Sequence, residues 1–105
     1  MTLTKKEMAN MRNVSKKLSS MEGKKKVLYA FVERVEETSE NGEKKLVEKG
    51  YIKTEDGEYY GTISPTAIRN IEDIVDILND GEEVMVSILT RKSNSNRDFI
   101  SLMIE

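Results

Sequence analysis

The chain contains no cysteine, no histidine and no tryptophan, and has one proline, Pro65, and two phenylalanines in 105 residues. Without cysteine or histidine there can be no disulfide, thiol nucleophile, imidazole base or ordinary zinc ligand set. No apolar run approaches the roughly 18 residues of a membrane span. The N-terminus lacks the apolar stretch of a signal peptide, so a cytoplasmic location is expected, with no membrane partner. There is no nucleophile–base pair and no glycine-rich phosphate loop. Asp73, Asp76 and Asp80 follow one another along a helical stretch but lack the ligand density of a calcium loop. A catalytic role, a metal and a cofactor are therefore not expected.

What is present is charge, unevenly placed. Residues 1–26 carry eight basic and two acidic side chains, a balance of +6. Residues 27–105 carry nine basic and 17 acidic side chains, a balance of −8. A basic arm thus precedes an acidic domain, and the two can attract each other. The length suits one domain with a modest core.

Thr4 to about Ser20 reads as an amphipathic helix. Thr4 and Glu7 have capping-box spacing, with Leu3 and Met8 at the staple positions. Met8, Met11, Val14 or Ser15, Leu18 and Met21 form an apolar stripe at three- and four-residue spacing. Residues 1–25 are thus expected to be a helix and connector, and residues 26–105 a separate domain. In that domain the period changes to two. A first strand covers Lys26–Glu36, with Leu28, Ala30 and Val32 on its inner face, Tyr29 and Phe31 on its outer face, and a bulge near Val35. Asn41-Gly42 turns the chain into a second strand, Lys45–Thr54, and Glu55-Asp56-Gly57 into a third, Glu58–Ile63. Ser64-Pro65 opens a helix with Ile68, Ile71 and Leu78 on one face. Alternating Val84, Val86 and Ile88, then Ile100, Leu102 and Ile104, give a fourth and a fifth strand. Three strands, a helix and two strands are the element order of an OB fold. The expected class is all-β with added helices: a five-stranded antiparallel OB-fold barrel, one helix between its third and fourth strands, and an N-terminal amphipathic helix.

Four stretches carry a family resemblance over about residues 26–105: Val27–Val35, Gly50–Gly57, Gly61–Ser64, and Asn79–Val86 with Phe99–Leu102. In this order and spacing they resemble the RNA-binding OB domain repeated in the largest protein of the bacterial small ribosomal subunit, the S-one-type domain. The resemblance implies a non-enzymatic platform for single-stranded RNA. It also implies a face with two aromatics on the second strand, a histidine on the third and a basic residue on the fifth. Here Tyr51 matches one aromatic, Thr62 stands at the histidine position and Phe99 at the basic one, so the scaffold matches better than the RNA chemistry.

Single-strand binding needs flat rings for stacking and cations that follow the backbone. Tyr51, Tyr59 and Tyr60 lie on the second and third strands. Alternation sends Tyr59 and Tyr60 to opposite faces, so at most one can join Tyr51, and Tyr60 is the candidate. Lys49 and Lys53 share a strand face beside Tyr51. Arg91, Lys92 and Arg97 bracket a polar loop between the last two strands, a usual contact region in OB folds. The expected site is Tyr51, Tyr60, Thr62, Lys49, Lys53, Arg91, Lys92, Arg97 and Phe99. The expected partner is single-stranded RNA, or single-stranded DNA. The acidic domain repels phosphate and keeps a rival open, a protein-interaction module that has lost nucleic-acid binding. Tyr29, Phe31, Met85, Leu89, Phe99 and Met103 form the outer apolar face through which it would bind a protein or itself, unless Met8, Met11 and Leu18 of the N-terminal helix cover them.

Overall fold

A computed structural model describes residues 3–92 and 98–105. It is mostly β, with six strands in one curled half-barrel and two helices, in keeping with an OB-like fold. In chain order the elements are α1 (Lys5–Val14), β1 (Lys16–Lys17), a 3-10 turn (Leu18–Ser20), β2 (Lys25–Thr38), β3 (Lys44–Thr54), β4 (Tyr59–Thr62), α2 (Pro65–Asn79), β5 (Val84–Lys92) and β6 (Asp98–Ile104). The five strands expected from the sequence are β2 to β6. The sheet order is β1-β4-β3-β2-β5-β6, antiparallel except for the β1–β4 pair. Its two ends do not pair among the described residues, so the barrel is open between the β1–β4 edge and β6. The Ser64 hydroxyl, donating to the Ile100 carbonyl at 3.5 Å, spans that seam.

Turn chemistry sets the strand boundaries. Gly42 and Gly57 take positive φ, and their amides donate to the carbonyls of Ser39 and Thr54. Inside the half-barrel, Val27, Ala30, Ile52, Tyr60, Val84, Val86 and Leu102 pack against Ala67, Ile71 and Ile74 of α2. The Leu102 amide donates to Asn70 Oδ1 at 2.9 Å, tying β6 to the same helix. Gly50 lets α2 approach, because a Cβ there would stand 2.7 Å from Ile71 Cδ1.

Three expectations are corrected. The bulge lies at Leu28, where the β2–β3 register shifts between Val27 and Tyr29, and not near Val35. It turns Leu28 to solvent and sends Val27 and Ala30 inward. The N-terminal helix ends at Val14 rather than near Ser20, because Ser15 is extended and the Lys16–Lys17 backbone pairs with β4. Leu18 and Met21, assigned above to the helical stripe, enter the main core instead. Finally, the outer apolar face is not continuous. β2 pairs with β5 only at Lys25–Val27, so Tyr29 and Phe31 lie beyond the paired rungs and away from Met85. Met103 is exposed rather than covered by α1. No described helix is long and apolar enough to cross a membrane.

Candidate nucleic-acid interface

The outer face of β2, β3 and β4 is built by register. Phe31 stands opposite Tyr51, Tyr51 opposite Gly61, and Lys53 opposite Tyr59. Phe31, Tyr51, Lys53 and Tyr59 therefore share one side of the sheet, with Lys49 two residues before Tyr51. The rings of Phe31 and Tyr51 stack at 4.9 Å with 27° between their planes. Gly61 gives Tyr51 room, since a Cβ there would lie 3.1 Å from the ring.

α1 covers part of this face. Met11 is fully buried against Phe31 and Tyr51, and Leu3, Met8 and Tyr59 pack around them. Thr4 caps α1 as expected, accepting from the Glu7 amide at 3.1 Å. The Glu7 carboxylate does not complete the box. It accepts from Lys53 Nζ and from the Tyr59 hydroxyl, each at 3.3 Å. Arg12 pairs with Glu33 at 2.8 Å and lies 5.6 Å from the centre of the Phe31 ring. Lys53 Nζ lies 5.2 Å from the Tyr59 ring centre. Hydrogen bonding to Tyr59, then to Glu7, holds the Lys53 ammonium above its ordinary pKa despite partial desolvation. Burial, with Glu33 nearby, raises the Tyr51 phenol.

Beyond the end of α1 the same face opens into a groove of about 470 Å³. Tyr51, Gly61, Lys49 and Thr62 line it. Arg12, Lys16 and Lys17 from the N-terminal segment line it too, as do Ile63 and Ile100. Lys16 pairs with Glu58 and Lys49 with Glu37, while Lys17 has no ion-pair partner among the described residues. Ile63 exposes 69% of its surface. The β5–β6 ladder continues from the rung Thr90–Ile100 through Arg91–Phe99 to Lys92–Asp98.

The nine residues singled out in the sequence do not all converge. Lys49, Tyr51 and Thr62 line the groove. Thr62 Oγ1 also accepts from the Ser64 amide at 3.0 Å. Lys53 lies under α1, bound to Glu7. Tyr60 is a correction: its register with Ile52 puts it on the inner side of the sheet, in the main core, away from Tyr51 and the groove. Tyr59 is the tyrosine on the Tyr51 side. The backbones of Arg91, Lys92 and Phe99 lie in β5 and β6, whereas their side chains, and Arg97 altogether, lie outside the described residues. The sequence reading missed Lys16, Lys17, Gly61 and Ile63 as groove residues. Only the β1–β4 pairing could have found the two lysines. No cluster of three metal-ligating side chains occurs among the described residues.

No curated protein and no solved structure matches the chain. The model of one family, described as phage single-stranded DNA-binding protein, matches residues 8–105. This match supports OB-type single-strand binding but not the S-one RNA-binding type, and it reaches into the N-terminal segment that the ribosomal resemblance left out. The protein is a non-enzymatic module for single-stranded nucleic acid. With nearly its whole length matched, the chain belongs to the phage single-stranded DNA-binding protein family.

Proposed function

We propose that this protein binds single-stranded DNA, rather than RNA, in the groove beside Tyr51, acting in the cytoplasm. The observation that carries the reading is the groove itself, where cations from two separate segments, Lys17 of β1 and Lys49 of β3, line one space with an aromatic ring. Cations of this kind follow a phosphate backbone; the Tyr51 ring is 8% exposed while α1 is docked, so base stacking on it, worth about 1–3 kcal/mol per base, requires α1 to move. Ile63 adds an apolar contact, and Thr62 and Ser64 add hydroxyls. On the sequence reading, Arg91, Lys92, Arg97 and Phe99 belong to the proposed site as well. Family membership favours DNA over RNA.

The test is fluorescence anisotropy with labelled oligo-dT at several salt concentrations, with oligo-U as competitor. Oligo-dT binding should weaken with salt as counterions are released, and oligo-U should compete poorly. Lys17→Ala should reduce the log–log salt slope by about 0.7, the value of one phosphate contact on a single strand. Equal competition by oligo-U would remove the preference for DNA. An unchanged slope would take Lys17 out of the path.

A further inference from the structure

The aromatic face continues from the groove beneath α1, and the contacts α1 makes there are those a nucleic-acid strand would make. Stacked Phe31 and Tyr51, with Tyr59 beside them, offer ring surface to Met8 and Met11. Lys53 and the Tyr59 hydroxyl, a cation and a donor suited to a phosphate, are both taken by the Glu7 carboxylate. Arg12, the other cation over these rings, is held by Glu33. The attachment of α1 is suited to movement. Ser15 is extended, the next two residues pair with β4, and Leu18 is sunk in the core, so α1 can swing at Ser15 while everything after it stays in place. A ten-residue helix is marginal by itself and depends on what it packs against.

We infer that α1 is a strand-mimicking lid: single-stranded DNA entering the groove displaces it, and a backbone phosphate replaces Glu7 between Lys53 and Tyr59. The inference rests on the DNA-binding reading above and extends the path from the groove across Tyr59. Closed, the lid competes with DNA, so the apparent affinity is the intrinsic affinity multiplied by the fraction of molecules in which the lid is open. The lid also hides rings and cations that could otherwise engage other ligands in the free protein.

Hydrogen exchange on the full chain, with and without oligo-dT of about 16 nucleotides, tests this directly. The amides of residues 8–14 should exchange faster when DNA is bound, while those of β3 and β4 slow. Glu7→Gln, which removes the charge opposite Lys53, should tighten oligo-dT binding by roughly two- to five-fold, the weight of a surface ion pair in the lid equilibrium. Glu40→Gln makes the same charge change at an exposed turn and should leave affinity nearly unchanged. Faster exchange in α1, with tightening specific to Glu7→Gln, supports the lid. DNA binding with α1 equally or better protected overturns the lid and leaves the groove reading intact. Equal tightening by both variants reduces Glu7 to a general charge effect and overturns its role as a phosphate mimic. Failure of oligo-dT to bind would defeat the groove reading and the lid together.

Discussion

The two faces of the curled sheet use the same strands but are sealed in different ways. The inner face is closed by α2, a fifteen-residue helix in mid-chain, and by Leu18, Met21 and strands at both ends of the sheet. The outer face is closed by α1, a ten-residue helix near the chain terminus, through Met11 and its contacts with Phe31 and Tyr51. Inner side chains meet almost only apolar neighbours. At the outer face, the ion pairs Arg12–Glu33 and Lys53–Glu7 ring the apolar contact. Partly solvated ion pairs add little stability, so the outer closure is the weaker one, and proteins draw their moving parts from such regions. A sheet can thus fold on one face and keep the other for a ligand.

The comparison breaks most sharply at Ile71 and Met11, both fully buried and each in its own cluster. Ile71→Ala empties a site that cannot collapse without moving α2, and should cost about 2–5 kcal/mol in urea unfolding. Gly50→Ala addresses the same contact from the strand side. Its new methyl meets Ile71 Cδ1, and the cost should be about 1–3 kcal/mol, toward the lower end because a terminal methyl can rotate away. Met11→Ala removes a side chain of similar size, but its cost is capped at the docking free energy of α1. Global stability should fall by only about 1 kcal/mol, while α1 loses protection selectively in hydrogen exchange. A loss as large as that of Ile71→Ala would mean the two faces fold as one unit.

Most of the inner face was legible in the sequence. Asn41-Gly42, Glu55-Asp56-Gly57 and Ser64-Pro65 mark the turns and the entry to α2, and period-two alternation marks the strands. The outer face was legible only in part. Leu18 and Met21 continue the three- and four-residue spacing of Met8 and Met11, so the stripe gives no hint that the helix stops at Val14. What stops it is non-local, the pairing of Lys16 and Lys17 with Tyr60 and Gly61. The choice between Tyr59 and Tyr60 turns on register. Alternation says that the two tyrosines oppose each other, but only the Tyr51–Gly61 rung says which one shares the face of Tyr51. The bulge at Leu28 likewise changes which residues point inward, without a sequence signal of its own.

The smallest expected effect concerns the turn that both faces share. Thr54 is fully buried at the end of β3, and its hydroxyl hydrogen-bonds with Asp56, which also pairs with Lys25 of β2. The Lys25 and Thr54 contacts lower the Asp56 pKa from 3.8 to about 2. A carboxyl group whose pKa is lowered by folding stabilises the folded state above its unfolded pKa, and that contribution disappears as pH falls through the folded value. The contribution of Asp56 is therefore complete at pH 5 and decays between about pH 4 and 2. Asp56→Asn retains an acceptor for Thr54 but loses the charge opposite Lys25. Its thermal midpoint should lie below that of the parent at pH 5 to 7, and the two curves should converge toward pH 2. Because the turn closes the β3–β4 hairpin, both faces should feel the loss equally, with hydrogen exchange rising to the same degree on Ile52 and Tyr51. Faster exchange at Tyr51 alone would assign the turn to the outer face and make the boundary between the two regions run through the hairpin itself.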